Sequence, residues 1–71
     1  MAERDVEKNV AKSQFVDTLR RLADAIEADE SFRIQVANAR FTVPADAELI
    51  IEHEAEGGRE ELALELQWAT D

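Results

Sequence analysis

The cluster Glu52-His53-Glu54 is the one place in the sequence where an imidazole lies next to carboxylates. Such groups can bind a divalent metal or exchange protons in catalysis. The surrounding residues alternate between polar and apolar types, which is typical of a β-strand, and neighbours in a strand point to opposite faces. His53 therefore points away from Glu52 and Glu54, and the three groups cannot converge on one ion. We expect His53 to bind no metal and to lie at the margin of the core near Leu62.

A second candidate is a patch of four carboxylates on one face of the C-terminal hairpin, formed by Glu52, Glu54, Glu61 and Glu65. Carboxylates in a cluster can hold Ca²⁺ or supply an acid–base pair. A catalytic pair needs a cleft that raises the pKa of one carboxyl group, and a flat sheet has no such cleft. We interpret the patch as a solvated acidic face, with a partner surface as the alternative and Ca²⁺ binding as a minor one.

The remaining polar candidates are weaker. Arg33 and Arg40 belong to residues 31–44, a segment without acidic residues, and two arginines without interleaved aromatics are a poor signal for nucleic-acid binding. We expect them to pair with the acidic face. Ser13 is assigned to helix capping and Ser31 to a loop, and phosphate-loop, dinucleotide and zinc motifs are absent from the sequence. The sequence thus predicts a protein that is not an enzyme and has no catalytic residue, metal site or cofactor.

One amphipathic helix is predicted over residues 14–28, after Ser13 as N-cap. Its apolar residues recur at the spacing of a single helical stripe. They are Phe15, Val16, Leu19, Leu22, Ala23 and Ile26.

Two hairpins are predicted to follow, over residues 32–43 and 48–68, because the apolar period changes from 3.6 to 2. In the first hairpin, a loop at Asn38-Ala39 would pair Val36 with Phe41 and Ile34 with Val43. Pro44 ends the second strand because proline cannot donate a ladder hydrogen bond.

The second hairpin turns at Gly57-Gly58, since two glycines accept the positive φ values of a type I′ turn. This turn pairs Leu49 with Leu66, Ile51 with Leu64 and His53 with Leu62. Large apolar residues then share one face, and the acidic patch lies on the other.

These elements predict an α+β fold in which one helix packs on one face of an antiparallel four-stranded sheet. Residues 1–12 are expected to be a tail or a short edge strand, and residues 13–69 the domain. Trp68 has the parity of the core side chains, so we expect a buried ring whose N–H reaches the edge. An exposed aromatic anchor for a partner is the alternative.

Composition sets the expected environment. The 71 residues carry a net charge of −9, with six arginines against two lysines and no cysteine. Such acidity disfavours nucleic acid and anionic membranes as direct partners. It suits multimolar salt, where the Debye length falls to about 3 Å at 1 M. We expect a cytoplasmic protein of a halophile, without a membrane span, since no stretch approaches about 20 apolar residues.

Three segments carry a resemblance to a known family: Leu-Arg-Arg-Leu-Ala-Asp at 19–24, Thr-Val-Pro at 42–44, and the alternating Glu/Leu strand 61–67 that closes on Trp68. Together they resemble the amphi-Trp domain, a family of small prokaryotic proteins frequent in haloarchaea. The resemblance covers residues 13–68 and implies the α+β fold and an archaeal, halophilic source. It implies no established biochemical activity. The sequence departs from the expected pattern in the first hairpin, where Ala37-Asn38-Ala39 replaces a glycine-containing turn.

Three functional hypotheses follow. The first is a non-enzymatic accessory protein that acts by protein–protein contact, as a homodimer through an edge strand or through Ile50 and Ala63. The second is an acidic nucleic-acid mimic or regulator that occupies the basic groove of another protein, and the third, minor one is a Ca²⁺-binding acidic face. The interaction surface expected from the sequence comprises Ile50, Glu52, Glu54, Glu61, Ala63, Glu65 and Trp68.

Overall fold

The computed structural model describes residue 4 and residues 6–70. It contains one helix and four strands in the order expected for the α+β class, which confirms the predicted fold class. The elements are α1 (Lys12–Glu27), β1 (Phe32–Val36), β2 (Ala39–Val43), β3 (Glu48–Glu56) and β4 (Arg59–Gln67).

Helix α1 begins one residue before the predicted cap, so the assignment of Ser13 as N-cap is wrong. The N-cap is Ala11, which makes no side-chain capping bond, and the first helical bond runs from the Phe15 N–H to the Ala11 carbonyl at 3.0 Å. Lys12 is a strong helix former, and it extends the helix by one residue on the N-terminal side of Ser13. At the other end the Glu30 N–H donates to the Ala25 carbonyl at 2.9 Å around Asp29, whose φ is 56°. This is a Schellman termination with aspartate in the left-handed position.

Residues 6–11, which precede α1, form neither helix nor strand. The Arg4 guanidinium donates to the carbonyls of Val36 and Ala37, at 2.6 and 3.1 Å. The predicted tail or edge strand at residues 1–3 and 5 lies outside the described residues.

The first hairpin forms where predicted but with a different register. Its turn is Ala37-Asn38, with φ values of 46° and 70°, and Ile34 pairs with Phe41 rather than with Val43. Positive φ at both central residues is what a type I′ turn requires, and such a turn matches the twist of the strands. Because the register differs by two residues, the apolar side chains keep the predicted common face.

The second hairpin forms with the predicted register, which is confirmed. Gly57 and Gly58 take φ values of 58° and 81°, and Leu49 pairs with Leu66, as Ile51 does with Leu64.

The two hairpins form separate two-stranded sheets within the described residues, in place of one four-stranded sheet. The segment between them is a tight turn in which the Ala47 N–H donates to the Pro44 carbonyl at 3.2 Å. This turn leads into β3, which forms no ladder with β2.

The core is small and lies where the helix end, the first hairpin and the base of the second hairpin meet. Its buried residues are Ala25, Phe32 and Val43. Five half-buried side chains pack against them: Leu22, Ile34, Ala47, Leu66 and Trp68. The helix therefore covers only the base of the second hairpin, and the rest of β3 and β4 projects from the core.

Candidate functional site

The projecting hairpin exposes a strip of large aliphatic side chains, which we call the hairpin face. It comprises Leu49 (58% exposed), Ile51 (76%), Leu62 (70%) and Leu64 (56%). Strand parity places all four on the side of Leu66, whose side chain does reach the core. Full burial of one such side chain stabilises a protein by about 1.5–3 kcal/mol, and an isolated two-stranded hairpin is at best marginally stable in water. This strip is the largest apolar feature that the fold leaves uncovered on the hairpin.

The opposite face of β3–β4, which we call the acidic face, carries the interaction residues expected from the sequence. Glu52, Glu54 and Glu61 are exposed, and the remaining residues of the set on this face are half-buried: Ile50, Ala63 and Glu65. Glu54 pairs directly with Glu61 across the strands. Like charges in this position repel each other, which supports the interpretation of a solvated surface.

A metal site is not formed on either face of this hairpin. Within residues 4 and 6–70, no group of three or more His, Asp or Glu side chains lies close enough to hold an ion. His53 instead contacts Glu60, with 2.9 Å between Nε2 and Oε2, and the two side chains are 65% and 75% exposed. His53 therefore does not cap the core near Leu62, because neither residue is buried. The Glu60 contact could have been found from the confirmed register, which pairs Glu60 with Ala55, two residues beyond His53.

Trp68 joins the two hairpins. Its half-buried ring packs against the core and stacks with Phe41 of β2, with 6.4 Å between ring centroids and 28° between ring planes. The ring contacts the core, as expected from the sequence, but it is not fully enclosed.

A cleft of about 710 Å³ lies between α1, residues 8–10 and the first hairpin, and we call it the basic cleft. Its apolar lining is Val10, Phe15, Leu19, Ile34, Val36 and Phe41. The apolar stripe of α1 is split by this arrangement, because Leu22 and Ala25 reach the core whereas Phe15 and Leu19 line the cleft and stay exposed.

Four basic residues and one acidic residue complete the charged lining of the cleft: Lys8, Arg21, Arg33 and Arg40, with Asp17. Arg21 lies over the Phe32 ring, with 5.3 Å between Cζ and the ring centroid. Arg40 donates from Nε to Gln35 Oε1 at 3.2 Å. Neither Arg33 nor Arg40 forms a salt bridge with a carboxylate of the described chain, so the expected pairing with the acidic face is not found.

Negative and positive charges therefore lie in different parts of the molecule. Residues 48–67 hold seven glutamates against one arginine, whereas the cleft is lined by an excess of cations. Sequence analysis missed the cleft because its walls come from two separate stretches of the chain, residues 8–21 and residues 33–41. The signal that could have found it is the excess of apolar helix residues over what the small first hairpin can bury.

Comparison with known proteins gives one match, to the family model of the Amphi-Trp domain, over residues 1–71. No curated protein and no solved structure matches the chain. In the part of the chain that the structure describes, no helix is long and apolar enough to cross a membrane.

Proposed function

We propose that this chain, which belongs to the Amphi-Trp domain family, is a non-enzymatic interaction module that binds a protein partner through the hairpin face. The observation that carries the proposal is the exposure of Leu49, Ile51, Leu62 and Leu64 on one face of one hairpin. Contiguous apolar surface that a fold leaves uncovered marks a site of protein contact.

The hairpin face suits binding better than the acidic face does. Ile50 and Ala63 are half-buried, so they offer less apolar area to a partner than the four exposed aliphatic residues. The glutamates of the acidic face would then lie behind the contact, on the other side of the same hairpin, and disfavour acidic partners.

A photo-cross-linking experiment tests this function. A chain with a photo-reactive residue at Leu62 is added to a native lysate of matched salt, beside a control chain with the same residue at Glu61 on the acidic face. We expect protein adducts at Leu62 that unlabelled wild-type chain suppresses and that unlabelled Ile51→Asp/Leu64→Asp chain does not. Equal adducts at both positions, unaffected by either competitor, would contradict the proposal.

A second candidate function is that of an acidic nucleic-acid mimic or regulator. It is supported by Glu52 and Glu54 of the acidic face, which are exposed and lie two residues apart, about 6.7 Å along the strand. Binding of this kind depends on charge and weakens steeply with salt. If it operates, Glu52→Gln/Glu54→Gln should reduce capture of partners more than Ile51→Asp/Leu64→Asp does.

We further propose a cytoplasmic role in a halophilic archaeon. The net charge of −9, the preference for arginine over lysine and the absence of cysteine support this setting. The folded chain should then gain stability between low and multimolar KCl, as measured by urea unfolding. Stability that is independent of KCl would contradict the halophilic assignment.

A further inference from the structure

We propose that the protein which covers the hairpin face is a second copy of this chain, and that the β3–β4 hairpin of each copy lies in the basic cleft of its partner. The two contacts are reciprocal and are related by a two-fold axis. This inference rests on the proposed function, because it names the partner of the same surface.

The first support is area. A compact monomer of 8.0 kDa has about 4,500 Å² of accessible surface, whereas this chain has 6622 Å². The projecting hairpin contributes to the excess, since Leu49, Ile51, Leu62 and Leu64 are each more than half exposed. A standard interface removes about 800 Å² per partner, so the excess of roughly 2,000 Å² is ample for a stable dimer.

The second support is shape. The radius of gyration is 13.5 Å, whereas a compact chain of this length has one of about 11 Å. The hairpin reaches about 25 Å from Leu49 to its turn, at the usual rise of a strand. The β3–β4 hairpin, which we call the arm, thus projects from a chain that also has an open apolar cleft. The arm does not fill the cleft of its own chain, since all four residues of the hairpin face are exposed.

The third support is charge. The hairpin is strongly acidic, mainly on the face opposite the hairpin face, and the cleft carries four cations against one carboxylate. Their net charges therefore attract each other across the contact, although whole copies repel. Each chain carries both the acidic hairpin and the basic cleft. Two reciprocal contacts close the assembly and leave neither an arm nor a cleft unfilled, which a one-sided contact with an unrelated protein does not achieve.

Sedimentation equilibrium of the purified full chain in KCl tests the dimer. We expect a dimer whose dissociation constant rises at least about 100-fold in Ile51→Asp/Leu64→Asp, which removes two exposed aliphatic side chains from the contact. The control variant, Ala69→Asp/Thr70→Asp, adds the same charge outside both surfaces and should dimerise as the wild type does. Circular dichroism should show folded chains throughout, because all four positions are exposed. A wild-type monomer up to about 1 mM would overturn the proposal, as would an unchanged dimer of Ile51→Asp/Leu64→Asp.

Charge reversal tests which surfaces meet. Arg33→Glu/Arg40→Glu makes the cleft acidic, and the fourfold variant Glu48→Lys/Glu52→Lys/Glu54→Lys/Glu61→Lys reverses the charge of the hairpin, whose seven glutamates and one arginine otherwise make it acidic. At the lowest KCl concentration that keeps the chains folded, each variant alone should be mainly monomeric, and an equimolar mixture should restore the dimer because both contacts then join opposite charges. Retained dimerisation of Arg33→Glu/Arg40→Glu alone would exclude the cleft from the interface and overturn this arrangement.

Cysteine cross-linking supplies a test that does not depend on salt, since the native chain has no cysteine. A mixture of Leu62→Cys and Leu19→Cys chains should form the mixed disulfide between arm and cleft in preference to either homodisulfide. A dominant Leu62→Cys homodisulfide would overturn the proposal in favour of arm-to-arm packing. Cross-links from the lysate experiment to other proteins, together with a monomeric purified chain, would overturn this inference while supporting the proposed function.

Discussion

Trp68 stacks on Phe41, and this ring pair joins the end of the second hairpin to the edge of the first. The two hairpins share no ladder within the described chain, so their relative placement depends on this stack and on the small core beside it.

Removal of either ring should therefore loosen the hairpins from each other. We expect Trp68→Ala to lower the free energy of unfolding by about 2–3 kcal/mol, since the ring is half-buried, and Trp68→Phe to recover part of the loss. A double-mutant cycle with Phe41→Ala should give a coupling energy of about 0.5–1.5 kcal/mol. Urea unfolding followed by circular dichroism measures all of these values, and strictly additive effects would show that the stack contributes nothing.

The turn at Ala37-Asn38 offers a gain in stability. Ala37 has a φ of 46°, a left-handed conformation that costs a residue with a Cβ about 1 kcal/mol, so Ala37→Gly should stabilise the chain by roughly 0.5–1 kcal/mol. Ala39→Gly is the matched control because Ala39 is the first residue of β2 and needs no positive φ. The same chemical change should destabilise there. Thermal unfolding of the two variants in parallel decides the matter, and a loss of stability in Ala37→Gly would refute the turn assignment.

Repulsion between Glu54 and Glu61 should make the stability of the chain depend on salt concentration. We expect Glu61→Gln to stabilise the chain by about 0.2–1 kcal/mol at low salt, because like charges directly opposite in a sheet repel. In 1 M KCl, screening should remove most of the difference. Glu48→Gln makes the same charge change in the same hairpin, where the residue opposite is the neutral Gln67, and isolates the effect of net charge. Equal gains for the two variants at low salt would assign the effect to net charge alone.

The contact between His53 and Glu60 should matter little for stability. Both side chains are largely exposed, and exposed pairs of this kind contribute about 0–1 kcal/mol. His53→Gln should shift the midpoint of urea unfolding by less than the variants of Trp68 do. A loss as large as that of Trp68→Ala would assign His53 a structural role that its exposure does not suggest.

Sequence reasoning succeeded where a local constraint was decisive. Gly57 and Gly58 accept the backbone of a type I′ turn, and the register of the second hairpin follows directly from them. It failed where two local solutions were close in free energy. Ala37-Asn38 and Asn38-Ala39 both place asparagine in the turn, and the strain at Ala37 gave no sequence signal.

The residues that form the hairpin face were predictable from the sequence, but the exposure of that face was not. Alternation correctly grouped Leu49, Ile51, Leu62 and Leu64 on one face, because strand parity is a local property. What covers that face is a tertiary property, which depends on the direction in which β3 leaves Pro44. The helix leaves most of this face exposed, and no periodicity in the sequence reports the direction in which the hairpin runs.

The separate pairing of the two hairpins also bears on how the chain folds. Every ladder joins strands that are adjacent in sequence and closed by a two-residue turn, so strand pairing needs no distant segment to find its partner. Hairpins of this kind form in about 1–10 μs, and chains dominated by local contacts fold in microseconds to milliseconds. The slow step should then be the docking of the two formed hairpins at Phe41 and Trp68. In the proposed dimer, association of two chains should follow, at a rate that depends on protein concentration.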